Sequence, residues 1–282
     1  MRAERWDFKR HPMCNFTILE ELEFVERYKN GEIFSDMAKE TGVSRGSLWK
    51  MVTQVYGVES YQTSKYPSEY NLDIDVFSNI HNERTMYLLG LVYSDGHIGP
   101  KQKILRFVTI DKEQMENFKT CLGTNKNHLT VPAEGNFKKQ YRLNIAYRPM
   151  IKDLLKYVPE LSRDTIKIDK KIINSPKFNH FLRGFFDGDG SVGKATKNIV
   201  FTGKESLMES LERIIESKYM VKASGLNRVV GDYIKENSDI YHLSYSKINT
   251  CKKLYKIMYK DAKYFLSRKK DIFINHFGKS IN

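Results

Sequence analysis

Apolar positions recur along this chain with two periods, and the changes of period mark its elements. Between Thr17 and Lys29 they fall at Ile18, Leu22, Val25 and Tyr28, the spacing of one helix face. A second helical stretch begins at Phe34 and breaks at Gly42-Val43-Ser44. Gly42 permits a positive φ, Val43 can plug a core, and Ser44 can cap a following helix seated by Leu48 and Met51. Ala38 is small enough for two helices to cross over it. This predicts a small all-α helix-turn-helix domain over residues 1–56, although an ordinary helical hairpin shares the spacing. Positions near the start of the second helix, Arg45, Ser47, Trp49 and Lys50, are the candidate base contacts. Residues 57–80 lose the periodicity, are rich in Tyr, Ser and Asn, and read as a linker.

Beyond residue 80 the order strand, helix, strand occurs twice, over 81–175 and 176–282. The first copy predicts a strand at Leu105–Ile110, a helix at Lys112–Leu122 and a strand at Gln140–Tyr147. In the last, Tyr141, Leu143, Ile145 and Tyr147 alternate with Gln140, Arg142, Asn144 and Ala146. One face is apolar and the other polar, as in a half-buried antiparallel sheet. Such a polar face suits a major groove, because Arg can bridge guanine O6 and N7 and Asn or Gln can bridge adenine N6 and N7. Arg106, Gln140, Arg142 and Asn144 are the candidates there. The second copy predicts strands at Asn198–Gly203 and Tyr241–Ser246 around a helix at Glu205–Lys218, with His242 and Ser244 on its polar face. Between them Lys222–Asp239 reads as a basic hairpin, in which Asn227, Arg228 and Lys235 could reach DNA. Helices near Pro149–Tyr157 and Lys247–Lys260 would cover the back of each sheet.

Each copy is headed by a similar nonamer. Leu88-Leu89-Gly90-Leu91-Val92-Tyr93-Ser94-Asp95-Gly96 is matched by Leu182-Arg183-Gly184-Phe185-Phe186-Asp187-Gly188-Asp189-Gly190. Gly90 and Ser94 lie one helical turn apart, as do Gly184 and Gly188, so each helix has a face almost without side chains. Two such faces can pack with their backbones close. Gly96 and Gly190 are expected as left-handed helix terminators. Asp95 and Asp189 would then meet in the last turns, against the negative ends of both dipoles and against each other. A divalent cation reconciles them, and all-oxygen ligation suits Mg²⁺, with Mn²⁺ as a substitute.

The paired nonamers, the lead-in Phe77–Tyr87 and the stretch Asn179–Gly184 resemble the LAGLIDADG homing endonucleases in their single-chain, two-motif form. The resemblance covers roughly the last two hundred residues. It departs from the pattern at Tyr93, where the first acid of the name stands, and at Arg183, where a small residue stands. It implies an α+β fold of two αββαββα repeats in pseudo-two-fold arrangement with saddle-shaped antiparallel sheets. It also implies a monomeric, Mg²⁺-dependent endonuclease that cuts one phosphodiester per strand of a long, imperfectly palindromic double-stranded DNA target. Asp95 and Asp189 would hold the metal. The resemblance further implies a basic residue beside each site: Lys269 in Phe265–Lys270, and Arg163 or Lys167 in Leu161–Lys167. The alternative is a catalytically inactive protein of the same fold, acting as an intron RNA maturase or a helix-turn-helix regulator.

Composition narrows this without deciding it. With 282 residues, 40% of them hydrophobic, the chain can form two or three cored units. A formal net charge of +13 points to a polyanionic partner. No run is long and apolar enough to span a bilayer, and charge begins at Arg2, so no membrane and a cytoplasmic location are expected. Cys14, Cys121 and Cys251 are scattered and read as free thiols. The end Ser280-Ile281-Asn282 lacks the His-Asn pair of an intein, which favours a free-standing enzyme.

Overall fold

The computed structural model describes residues 16–29, 32, 34–58, 70–98, 104–135, 138–158, 167–230 and 239–277. The chain divides into two compact units, Met1–Tyr66 and Pro67–Asn282. The smaller holds α1 (Ile18–Lys29), α2 (Phe34–Thr41) and α3 (Arg45–Lys50), the last running on into a π-helical turn at Met51–Val55. Its core joins Phe24, Val25 and Tyr28 of α1 to Phe34, Met37, Leu48 and Met51. Gly42 has the positive φ, 70°, that the turn needs. Ser44 Oγ accepts from the Ser47 N–H at 3.1 Å and caps α3.

The larger unit repeats one sequence of elements. The first copy runs α4 (Glu83–Asp95), β1 (Gly96–Ile98), β2 (Leu105–Thr109), α5 (Lys112–Leu122), β3 (Leu129–Val131), β4 (Gln140–Ile145), α6 (Arg148–Leu154) and α7 (Lys170–Ile173). The second runs α8 (Phe178–Asp189), β5 (Gly190–Val192), β6 (Ile199–Lys204), α9 (Glu205–Tyr219), β7 (Gly225–Arg228), β8 (Ile240–Tyr245), α10 (Ile248–Tyr259) and α11 (Ser267–Phe277). Each copy forms a four-stranded antiparallel sheet with the same strand order, β1-β2-β4-β3 and β5-β6-β8-β7. Period-two burial fixes the faces: Leu105, Phe107, Leu143 and Ile145 enter the core, as do Ile199, Phe201, Leu243 and Tyr245. The segment expected as a linker contributes Val76, Phe77 and Ile80 to this core.

Helices α4 and α8 pack along each other at the centre of the unit. A Cβ added to Gly90 would lie 2.5 Å from the Phe185 nitrogen, and one on Gly184 would collide with the Tyr87 carbonyl. The small residues therefore set the interhelical distance, as their spacing predicts. Gly96 and Gly190 depart from expectation. Their φ values are −79° and −99°, so neither is left-handed. Each helix passes straight into the first strand of its sheet, and a Cβ there would strike the preceding helical turn, at Val92 or Phe186. Space, not backbone conformation, requires glycine.

The two motif departures also find their cause. Fully buried Arg183 donates to Glu83 Oε1 (2.8 Å), the Tyr264 carbonyl (2.6 Å), the Met258 carbonyl (2.7 Å) and His180 Nδ1 (2.8 Å). Glu83 opens α4 and Arg183 lies on α8, so this ion pair ties one repeat to the other. Burial and the Arg183 charge pull His180 down to about 4, which keeps its ring neutral and able to accept. Tyr93 donates to the Tyr157 carbonyl at 2.8 Å and so holds the end of its own repeat. Among the described residues no helix is long and apolar enough to cross a membrane.

Candidate active site and nucleic-acid face

Asp95 is the last residue of α4 and Asp189 the last of α8, each one step before an edge strand. The close helix packing brings them together. A Cβ on Gly188 would lie 2.8 Å from Asp95 Oδ2, so the Asp95 carboxylate rests against the last turn of the other helix. Both acids are half-buried. Burial, then the charge of Asp189, pushes Asp95 up to about 7. Burial pushes Asp189 up to about 6, opposed by Lys269.

The surroundings of the two acids differ. Gln114, third residue of α5, donates from Nε2 to Asp95 Oδ2 at 2.9 Å, and Thr109 Oγ1 orients it by donating to its Oε1 at 2.7 Å. The third residue of α9 is the buried Leu207, and among the described residues Asp189 has no hydrogen-bond donor. Lys269, third in α11, lies near Asp189, whereas the third residue of α7 is the buried Ile172.

Lys269 is not poised with a free donor. Its Nζ donates to the carbonyls of Phe186 (2.6 Å), Asp187 (2.7 Å) and Gly188 (3.3 Å), which occupies all three ammonium hydrogens. It therefore caps the negative end of α8, in the turn that carries Asp189. Burial pulls its ammonium down to about 8, against the pull of Asp187 and the two acids. Asp187 beneath it is fully buried and accepts from Tyr87 Oη, Tyr259 Oη and the Leu266 N–H, each at 2.9 Å. Burial raises its carboxyl, and Lys269 opposes the rise. Lys167 is exposed, with its carbonyl accepting from Tyr93 Oη at 3.3 Å. Arg163 lies outside the described residues, as does Lys235.

The polar sheet faces are built as the alternation predicts, with one correction. Arg106, Gln140, Arg142 and Asn144 lie on the face of the first sheet turned from the core, where Arg106 Nε donates to Asn144 Oδ1 at 3.3 Å. His242, Ser244 and Asn227 lie on the corresponding face of the second. Arg228 does not: its register partner is Tyr241, which packs on the core side. A one-residue step along β7 turns a side chain to the other face. In the smaller unit Arg45, Trp49 and Lys50 are exposed on α3, but Ser47 is buried, its Oγ 2.8 Å from that of Ser44. Gln114 and Asp187 went unnoticed in the sequence. A polar residue in phase with the core positions Phe118 and Cys121, where the other repeat has Leu207, is the signal for Gln114.

No protein-family model matches the sequence, and no curated protein matches it. Solved structures with a similar arrangement include the homing endonuclease I-WcaI bound to its DNA recognition sequence. The identity is 17% over 68% of this chain and 85% of that one, with a TM-score of 0.49. The LAGLIDADG meganuclease I-AabMI bound to uncleaved DNA is 15% identical over 70% of this chain and 91% of that one, at 0.45. The N-terminal LAGLIDADG domain of WhiA is 13% identical over 76% of this chain and all of that one (100%), at 0.43. At such identities each is a likeness of fold.

Proposed function

We propose that this chain is a site-specific, double-strand DNA endonuclease of the LAGLIDADG kind. The observation that carries the proposal is the meeting of Asp95 and Asp189 at the ends of two backbone-packed helices, each beside the first strand of a sheet with a polar outer face. Two half-buried carboxylates, both raised by burial and Asp95 further raised by the charge of Asp189, form a hard, anionic donor set. Among the described residues no third His, Cys, Asp or Glu joins them. Waters and substrate phosphate oxygens would complete the ligation, which is the habit of Mg²⁺, with Mn²⁺ able to substitute. A cation held there would supply an acidified water and positive charge beside the scissile phosphate. Asp95 and Asp189 would be its ligands, one for each strand. Gln114 fixes the Asp95 carboxylate, and Lys269 fixes the last turn that carries Asp189.

The finer reading follows from charge and surface. The sheet faces would contact bases, and the excess of basic residues would contact phosphates. Helices α2 and α3 would serve as a helix-turn-helix that adds specificity, with Arg45, Trp49 and Lys50 as its contacts. Two unlike repeats in one polypeptide imply action as a monomer on an imperfectly palindromic target, consistent with an element that homes into an intron-less copy of its host gene.

Asp95→Asn and Asp189→Asn test the assignment on a duplex recovered by selection from a randomised library. Each variant should lose double-strand cleavage in Mg²⁺ and keep most of its binding. Cleavage of both strands at the wild-type rate by either variant would remove these residues from the reaction. No Mg²⁺-dependent cleavage by the wild type would favour a non-catalytic nucleic-acid-binding protein.

A further inference from the structure

Corresponding rows of the two open sheet faces carry unlike chemistry. In the first sheet Val108 pairs across to Arg142, and Arg142 to Leu129. At the same register in the second sheet stand Thr202, His242 and Asn227. The equivalence is set by the shared strand order and by the matching pairs Leu105 with Ile145 and Ile199 with Tyr245.

Two features of the first row point outward. Arg142 Nε is sealed from solvent, yet has no hydrogen-bond partner among the described residues. An unpaired, shielded donor is costly, and no protein acceptor among the described residues ties down this half-buried guanidinium on the open face. Directly opposite, Leu129 is 63% exposed, an isobutyl group offered to solvent beside the guanidinium. A planar fork flanked by aliphatic groups matches one pattern in the major groove: guanine N7 and O6 accept both donors, and a neighbouring thymine offers its C5-methyl group. The second row has neither guanidinium nor aliphatic group. Its amide, imidazole and hydroxyl suit adenine N7 and N6 instead.

We propose that Val108, Arg142 and Leu129 read a guanine beside a thymine methyl in one half of the target only, while Thr202, His242 and Asn227 read an adenine-containing step at the matching position of the other half. The asymmetry of the target is then written in these two rows. The proposal rests on the reading of this chain as a double-stranded DNA binder.

Selection of the full chain on a randomised duplex library without divalent metal, followed by sequencing, tests it. The variants are Arg142→Ala, Arg142→Lys, Leu129→Asn and Asn227→Ala, each checked for an unchanged melting transition. The wild type should enrich a sequence with guanine at one position of one half. Arg142→Ala should lower that preference about tenfold or more and leave the other half untouched. Arg142→Lys should keep the affinity and still lose the preference, because an ammonium lacks the two-pronged geometry. Leu129→Asn should relax only the adjacent thymine, and Asn227→Ala only the opposite half. An enriched sequence that Arg142→Ala leaves unchanged overturns the row assignment and spares the DNA reading, as does a change spread equally over both halves. Failure of the wild type to enrich any duplex, or its preference for single-stranded RNA in competition, overturns both.

Discussion

Single residues at the floor of the helix seam make the folded state sensitive to pH. The carboxyl of Asp95 binds a proton up to about pH 7 in the folded chain, against an ordinary value near 3.9 when unfolded. Its folded pKa is the higher one, so its contribution favours folding fully at low pH and is lost as pH rises through about 7. Asp189 follows the same sign, its contribution being lost as pH rises from the ordinary carboxyl range through about 6. Partial solvent access tempers the effect, leaving on the order of 3 kcal/mol for Asp95. Without divalent metal, melting temperature should therefore fall between pH 5 and about pH 8, and Asp95→Asn should flatten that fall. Mg²⁺ should then raise the melting temperature more at about pH 8 than near pH 5, since ligand carboxylates must first lose their protons. A melting series with and without EDTA measures both. Equal stabilisation by Mg²⁺ at the two pH values would place the ion elsewhere.

At the scale of elements, the seam between α4 and α8 decides whether those residues meet. A methyl at Gly184 would run into the Tyr87 carbonyl, a backbone atom of the facing helix that has no freedom to swing aside. Gly184→Ala should cost about 3 kcal/mol or more through forced separation of the helices. Gly188→Ala meets chiefly the Ser94 side chain and Asp95 Oδ2, so it should disturb cleavage more than stability. Chemical denaturation beside a cleavage assay separates the two. This seam was legible in the chain because glycine and serine one turn apart leave a bare face whatever surrounds them. The strand alternation was legible for a similar local reason: β4 falls within the stretch it marked, and β8 begins one residue before its own. Other features depend on where distant segments fold back. That Lys269 caps α8 instead of facing solvent follows from the path of the chain into α11. Ser47 looked like a surface residue of α3 until its hydroxyl turned to that of Ser44. Arg228 missed the open face by one residue of register, a distinction no hydrophobic pattern makes in a strand of four residues.

The whole molecule carries 47 basic against 34 acidic residues, a net +13. Much of the local acid is already matched: Glu83 by Arg183, Asp111 by Arg268, and Asp73 by Arg84. The surplus is therefore cationic charge free to meet phosphate. Each phosphate neutralised releases condensed counterions and adds about 0.9 to the slope of log affinity against log salt. A long duplex target contacted at six to ten phosphates, the range typical of specific binders, should thus lose about three to five decades of affinity between 50 and 200 mM salt. Base readout behaves differently, because it exchanges hydrogen bonds instead of counterions. Arg142→Lys keeps its charge and should leave the slope unchanged, whereas removal of a phosphate-facing lysine should lower it by about one unit. Affinity measured by fluorescence anisotropy across a salt series gives the slope directly. A slope near zero would mean that the net charge serves no polyanion, and the surface would then have to be explained by solubility alone.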